Sequence, residues 1–271
     1  RRVLRKADDK APIQRFMSAA LAAATDAARV TLASALAGAW AVVLARAAGL
    51  ADVLFGTVVS GRDVAVPGIE SMLGLFIHML PVRVQVDEDA ALWPWLRALQ
   101  AAQAAARAHQ IAPLVEIQSH TGVPAGTSLF RSVLVYQDYP FDPALFSDPD
   151  LSIGFIRASD PTHYPLVVTA IPGRELHLSL EYDQAWFEPG AAERLADMLE
   201  QVLRGMVAAA DPRVADLSTL SASERERVLY TWNRTAREHD RGATIHGLFA
   251  AQVARSPDAP AVYFADRVVT Y

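Results

Sequence analysis

Residues 56–83, GTVVSGRDVAVPGIESMLGLFIHMLPVR, decide how the middle of this chain folds. An apolar run ends at the Gly61-Arg62 pair, a Pro67-Gly68 pair follows, and Gly74 and Phe76 lead into a second apolar run. Glycine permits positive φ and proline fixes φ, so such pairs mark turns. The pattern predicts two strands joined by a long connection that is rich in turns.

The two apolar runs differ in pattern, and the difference predicts how each strand is covered. Residues 52–60 are almost all apolar, as expected of a strand that is covered on both faces. Residues 80–86 alternate instead, with three valines on one face and Arg83 and Gln85 on the other. The first strand is therefore expected to be buried on both sides, and the second on one side only.

Helical signals flank these strands. Pro12 suits the first turn of a helix over residues 12–28, and Thr31 is a typical N-cap for a helix that ends at Gly49. Three more predicted helices each carry a proline in the first turn: residues 94–109, 113–120 and 189–210. Three more strands are expected at residues 132–137, 165–171 and 175–182, the last two as a hairpin across Pro172-Gly173.

Helices interspersed with strands, some of them paired as hairpins, predict an α/β fold with a mixed sheet and helices packed on one face. That domain is expected to span residues 1–210. Charges become dense and apolar periodicity weakens over residues 211–243, which predicts a linker. Residues 244–271 carry a short helix capped by Thr244 and then a hairpin, and we expect them to begin a second, truncated domain.

Composition excludes several function classes. A content of 52% apolar and 20% charged residues is that of an ordinary globular protein. The absence of cysteine excludes disulfides, thiolate zinc sites and cysteine nucleophiles, and it suits a reducing cytoplasm. A net charge of −5 argues against nucleic acid as a partner. No apolar stretch is long enough to span a membrane, and His109 and His120 lack the spacing of zinc ligands.

Four stretches resemble, in order and spacing, the condensation domains of nonribosomal peptide synthetases. They are VSGR at residues 59–62, MLGLFIHMLPVR at 72–83, YQDYPFD at 136–142 and, more loosely, DPTHYPL at 160–166. The last three are similar to the motifs that the family counts as its fifth, sixth and seventh. The resemblance covers about residues 12–210, and its specificity comes from the set rather than from any one stretch.

The resemblance implies a lobe like that of chloramphenicol acetyltransferase, one of two that enclose a tunnel. In this family, peptidyl carrier proteins upstream and downstream deliver phosphopantetheine arms, and an amide bond joins the acyl donor to the aminoacyl acceptor. The family's histidine motif, His-His-x-x-x-Asp-Gly, does not occur in these 271 residues. The chain is therefore expected to be the C-terminal lobe, without catalytic residues or a bound cofactor of its own, and inactive without its N-terminal lobe.

Arg62 is the residue that the resemblance marks as active-site support, by pairing with the motif aspartate across the lobe interface. The alternative is a solvated turn arginine that pairs with Asp63 or with nothing. His78 stands where the family usually has asparagine, so it is either an extra acid–base group or a hydrogen-bonding substitute. The expected tunnel wall comprises Ser60, Gly61, Gly74, Phe76, His78, Tyr136, Gln137 and Tyr139; the last three could instead merely cap a strand.

The tail has a resemblance of its own. Residues 217–220, 230–235, 244–246 and 256–261 resemble the junction into an adenylation domain, whose ATP-binding motifs would lie beyond residue 271. The adjoining adenylation domain is thus an expected partner, and this chain is not expected to activate an amino acid. Two other functions remain open: an epimerisation domain of the same fold, which the domain order disfavours, and a structural platform without turnover.

Overall fold

The computed structural model describes residues 13–17, 20–63, 65–124, 126–137, 162–173, 175–238 and 242–271, with no side-chain detail for the first of these segments. The chain divides into two compact units, Arg1–Ala222 and Ser223–Tyr271.

Strands and helices alternate in the first unit. Its described strands are β1 (Ile13–Met17), β2 (Asp52–Val59), β3 (His78–Gln85), β4 (Ser132–Tyr136), β5 (Leu166–Ile171) and β6 (Leu176–Tyr182). Its described helices are α1 (Ala20–Ala27), α2 (Leu32–Ala48), α3 (Leu92–Arg107), α4 (Leu114–Ser119) and α5 (Pro189–Met206).

These strands form one mixed sheet in the order β1-β6-β5-β4-β2-β3. The strand β4 runs parallel to both β2 and β5, whereas the other neighbouring pairs are antiparallel. The prediction of a mixed sheet is confirmed, as is the β5–β6 hairpin. Because β2 and β4 are parallel neighbours, their carboxyl ends open at the same edge of the sheet.

One face of the sheet packs against the helices. On β2 and β3 this face carries Val53 and Phe55 opposite Val84 and Val82, all of them buried. The helix α2 lies on the same face, and its fully buried Trp40 donates from Nε1 to Oγ of Ser132 at 2.9 Å. The alternation predicted for residues 80–86 is confirmed. The other face of β2 is covered at its centre, where a Cβ atom on Gly56 would overlap the Phe130 ring.

The ends of α2 follow from its capping residues. Thr31 Oγ1 accepts a hydrogen bond from the backbone N–H of Ser34 at 3.2 Å. At the other end Gly49 has φ of 67°, a left-handed conformation that glycine adopts without a steric penalty. Both predicted boundaries of this helix are confirmed.

The prediction of a helix over residues 12–28 is wrong in its first part. The backbone of β1 pairs with β6, with Ile13 opposite Leu180 and Met17 opposite Leu176, and the helix begins only at Ala20. An exposed edge of β6 offers backbone hydrogen bonds that a local helix signal cannot outweigh, since tertiary context overrides propensity. Pro12, on which the prediction depended, lies outside the described residues.

The first residues of the predicted linker pack into the first unit. Val214 and Leu217 are fully buried, and the backbone N–H of Val214 donates to the carbonyl of Ala90 at 3.0 Å. Arg46, on α2, reaches the carbonyl oxygens of Val214 (2.9 Å) and Leu217 and pairs with Glu88 at 2.7 Å. Residues up to 217 are therefore anchored to the fold, whereas a linker over residues 211–243 remains a prediction.

The second unit is small. It contains most of α6 (Ala222–Glu226), then α7 (Ile245–Arg255), β7 (Pro260–Phe264) and β8 (Arg267–Thr270). Thr244 caps α7 by accepting from the backbone N–H of Gly247 at 3.2 Å, as predicted, and β7 pairs with β8 as an antiparallel hairpin. Most of its large apolar side chains are exposed.

Among the described residues, no single helix is long and apolar enough to cross a membrane. Only α1 and α2 taken together, bent by 103°, reach that length and composition.

Candidate functional site

The turn after β2 is held against the segment that leads into β3. Gly61 is buried and has φ of 67°, which disfavours any residue with a side chain. A Cβ atom at this position would overlap the carbonyl oxygen of Phe76 and lie 2.8 Å from Cδ2 of His78. The turn therefore requires glycine for two independent reasons, its backbone conformation and the close approach of the neighbouring chain.

Arg62 closes this turn onto the connection between β2 and β3. Its Nη1 donates to the carbonyl oxygens of Ile69 at 2.5 Å and Met72 at 3.0 Å. The guanidinium carbon lies 4.6 Å from the centre of the Phe76 ring, within cation–π range. The side chain is half-buried and is directed at these partners rather than at Asp63, so neither form of the solvated-turn alternative describes it. Its supporting role towards the reaction stays a prediction.

Asp63 is held from the opposite side. Its Oδ1 accepts a hydrogen bond of 2.6 Å from Nε2 of Gln110, which lies just beyond the end of α3. Gln110 is only 3% exposed, and its Oε1 has no hydrogen-bond partner among the described residues. Because a buried amide oxygen without a donor costs free energy, this orphan acceptor is an unusual feature of the fold.

Six of the nine predicted site residues lie together at this turn. Ser60 and Gly61 directly follow the end of β2. His78, the first residue of β3, lies opposite Val59, the last residue of β2. Gly74 approaches the Phe76 ring, since a Cβ atom there would lie 3.0 Å from Cε2 of that ring. His78 is half-buried against Gly61, which is what a packing or hydrogen-bonding substitute would show, but its role is not tested by this placement.

The remaining predicted residues belong to the end of β4. Tyr136 is the last residue of that strand and shares a groove with Ser60. The backbone N–H of Gln137 continues the sheet by donating to the carbonyl of Ala170 at 2.9 Å. Tyr139 lies outside the described residues. Of the last three, the structure thus brings Tyr136 to the site and places Gln137 one residue beyond it.

The groove has a volume of about 190 Å³ and lies between the sheet and α3 at the carboxyl ends of β2 and β4. Its apolar floor comes from Val59, Val82 and Leu134. Asp63 and Arg107 supply charges of opposite sign to its lining. Parallel strands often place binding sites at their carboxyl ends, and this groove lies at that edge.

The connection between β2 and β3 also exposes a continuous apolar segment. Leu73 and Leu75 are almost fully exposed, and Met72 and Ile77 are also exposed. Exposed apolar clusters of this kind mark interaction surfaces. Arg62 fixes the backbone beside this segment, so the surface is presented by an anchored loop.

The α3 side of the groove and the Asp63–Gln110 pair were missed by sequence reasoning. Gln103 and Arg107 are one helical turn apart on α3 and face the groove. Their sequence pattern, polar residues four positions apart in an alanine-rich helix, could have indicated a binding face. The same pattern is equally typical of a helix face exposed to solvent. Gln110 has no sequence signal at all, because nothing local distinguishes a buried glutamine from an exposed one.

No group of three or more histidine, aspartate or glutamate side chains in the described segments is placed to hold a metal ion.

The chain matches the model of the family described as "Condensation domain" over residues 4–229. It is 40% identical over 261 residues to chondramide synthase cmdD of Chondromyces crocatus, covering 90% of this chain and 7% of that protein. It is also 33% identical over 237 residues to bacitracin synthase 3 of Bacillus licheniformis, covering 86% of this chain and 4% of that one. The chain therefore spans only a small part of the relatives it matches.

Solved structures show the same fold. A holo four-domain nonribosomal peptide synthetase bound to AMP and glycine superposes with a TM-score of 0.72 at 16% identity, covering 97% of this chain and 21% of that one. The first condensation domain of the calcium-dependent antibiotic synthetase, in complex with a substrate analogue, superposes with a TM-score of 0.62 at 19% identity. That match covers 78% of this chain and 48% of the solved one.

Proposed function

Because the chain belongs to the condensation-domain family of nonribosomal peptide synthetases, we propose that it supplies one wall of a tunnel in which a carrier-bound amine attacks a carrier-bound acyl thioester. In that reaction the amine nitrogen forms a bond to the thioester carbonyl carbon, and the carbon–sulfur bond breaks. The proton lost by the nitrogen balances the thiolate that leaves. A thioester is already activated, so holding the two arms in register supplies much of the acceleration.

The observation that carries the proposal is the anchored turn at Gly61-Arg62. It contacts Phe76 and His78, and the residues on either side of it, Ser60 and Asp63, line the groove at the carboxyl ends of β2 and β4. Six of the nine residues singled out from the family's motifs meet there, although they are up to 18 positions apart in sequence. A wall of a substrate tunnel needs such rigidity, because a misplacement of about 1 Å can cost roughly 100-fold in rate.

Arg62 has hydrogen-bonding capacity left for a second partner. Nη1 is used on the carbonyls of the loop, whereas Nε and Nη2 make no hydrogen bond within the described segments. The Nε–Nη2 edge of a guanidinium is suited to a carboxylate. We assign to this edge the aspartate of the family's histidine motif, supplied by the other lobe.

The exposed apolar loop is an argument for a second lobe. Leu73 and Leu75 are almost fully solvated, although the loop beside them is anchored. Solved condensation-domain chains are about twice the length that this chain matches, with coverage of 48% and 50% in two of them. The further half of such a domain is the partner that would cover this loop, and carrier proteins would reach the tunnel between the two halves.

The second unit is proposed as the start of an adenylation domain. The four-domain synthetase aligns with 97% of this chain, whereas two condensation-domain structures align with 78% and 79%. Val262, Tyr263 and Phe264 are exposed on the β7–β8 hairpin, as expected of a strand pair that further chain would cover.

The test is single-turnover amide formation in an intact synthetase that contains this chain, with both carriers loaded. Arg62→Ala is expected to lower the rate by roughly 10- to 100-fold, because the turn loses its hold on the loop and on the carboxylate. Arg62→Lys should not restore it, since an ammonium lacks the planar fork that bonds and stacks at once. Arg204→Ala, which removes an exposed arginine on α5, is the matched control and should leave the rate unchanged.

Each outcome decides between the functions. Loss of amide formation in both Arg62 variants with an unchanged control supports the proposal. Equal rates in all four proteins would refute the role of Arg62. Inversion of the bound aminoacyl centre without amide formation would identify an epimerisation domain, and no turnover with any loaded carrier would identify a structural platform.

A further inference from the structure

The groove beside the Gly61-Arg62 turn has the size of a single side chain. Its volume is about 190 Å³, and a cavity of about 150 Å³ is large enough to hold a benzene ring. Whole small-molecule ligands occupy pockets of roughly 300–1,000 Å³. The groove therefore fits an aromatic or branched aliphatic group rather than an entire substrate.

The lining of the groove is apolar at the floor and polar on one side. Val59, Val82 and Leu134 form the floor, and Ala106 of α3 faces them. Binding pockets combine these features, because apolar walls supply affinity and a few polar groups fix orientation. The groove opens at the same edge of the sheet as Ser60, the residue that precedes the anchored turn.

One hydrogen-bond acceptor, the carboxylate of the exposed Asp63, lies on the polar side. The Asp63 carboxylate lines the groove and receives one hydrogen bond from Gln110. A carboxylate accepts several hydrogen bonds, so Asp63 has capacity left for a ligand that brings an N–H or O–H group into the groove.

We propose that this groove is a side-chain pocket for an aminoacyl group carried as a thioester, selective for a ring or branched chain that ends in a hydrogen-bond donor. The proposal deepens the function argued above and depends on it. The same chemistry could be presented by the donor arm or by the acceptor arm, so the experiment varies each arm separately.

The experiment fills the groove and leaves the rest of α3 unchanged. Ala106→Leu places three more carbon atoms in the groove, whereas Ala105→Leu, on the neighbouring exposed position, places them in solvent. Amide formation is measured in the intact synthetase with glycyl, leucyl, phenylalanyl and tyrosyl pantetheine thioesters. Each is supplied once as donor and once as acceptor.

When either the donor or the acceptor is varied, in one of the two series the unaltered protein is expected to prefer the tyrosyl thioester over the phenylalanyl one, and both over the glycyl one. Ala106→Leu should reduce the preference for tyrosyl over glycyl by about tenfold or more, with the glycyl rate retained. Retention of the glycyl rate shows that the variant is folded. If it is lost, Ala106→Val repeats the test with a smaller group.

The inference is overturned if the Ala106 variant that retains the glycyl rate has the same selectivity as Ala105→Leu in both arms. It is also overturned if the unaltered protein treats all four side chains alike. By contrast, a failure of the unaltered protein to form any amide contradicts the proposed function itself. The two failures are therefore distinguishable.

Discussion

Replacing Arg46 by alanine should release residues 212–217 from the first unit. This arginine donates to the carbonyls of Val214 and Leu217 and forms a bidentate pair with Glu88. Its side chain is only 21% exposed, whereas that of Glu88 is 46% exposed. The carbonyl bonds are therefore expected to carry most of the effect, and the half-exposed ion pair little of it.

The size of the effect follows from these contacts. A hydrogen bond to a charged group contributes about 1.5–3 kcal/mol. Both carbonyls would lose their bond to Arg46, and that of Val214 would keep the backbone N–H of Leu217 at 3.2 Å. Allowing for the partial exposure of Arg46, we expect the free energy of local opening to fall by about 2–4 kcal/mol. At about 1.4 kcal/mol per factor of ten, this corresponds to roughly 30- to 700-fold faster amide exchange.

Hydrogen exchange read by mass spectrometry in the intact synthetase measures this directly. The reporters are the amides of Val214 and Ala215, bonded to the carbonyls of Ala90 at 3.0 Å and Glu88 at 2.9 Å. Arg204→Ala is the matched control, because Arg204 is exposed and its pair with Glu200 joins residues one helical turn apart, a kind of pair that contributes only about 0.3–0.5 kcal/mol. Exchange in Arg46→Ala that rises less than about threefold would refute the anchoring of this segment.

Two further outcomes are expected. Trp40→Phe should lower the free energy of unfolding by about 1–3 kcal/mol, because Oγ of Ser132 loses a buried donor. When Ser132→Ala is combined with it, the further loss of free energy should be small, as measured by urea unfolding in a double-mutant cycle. Burial raises the pKa of Tyr164, so the unfolded chain loses this proton at lower pH than the folded one. Stability should therefore fall as pH rises past about 10, and Tyr164→Phe should flatten that part of the pH profile.

The parts of the fold that sequence predicted well carry a local signal. Thr31 and Gly49 mark the ends of α2 because capping uses side chains and backbone conformations within one turn of the helix. The alternation from Leu80 to Val86 similarly follows from the period of a strand. The β1 strand was missed because its conformation depends on pairing with β6, about 160 residues away, and no local pattern reports such a partner.

The candidate site divides in the same way. Gly61 and Arg62 were found because glycine at a positive φ and a motif resemblance coincide there. The Asp63–Gln110 hydrogen bond was missed because it joins residues 47 positions apart, one of them a buried glutamine. The groove was missed because it arises from the packing of α3 across β2 and β3, and only the assembled layers define its volume.

Arg62 and Arg46 perform a similar task in the first unit, because each holds an irregular part of the chain by its backbone carbonyls. Arg62 and Arg46 each direct guanidinium N–H groups at backbone carbonyls. The carbonyls of Ile69 and Val214 also accept a backbone N–H within a short 3₁₀ turn, so each arginine adds a second donor there. Backbone acceptors have no side-chain signature, so sequence reasoning considered only carboxylates as partners of Arg62, the motif aspartate of the other lobe or Asp63, and no partner for Arg46. At Arg46 two different nitrogens, Nη1 and Nη2, reach the two carbonyls, so lysine should fail there even though it preserves the charge.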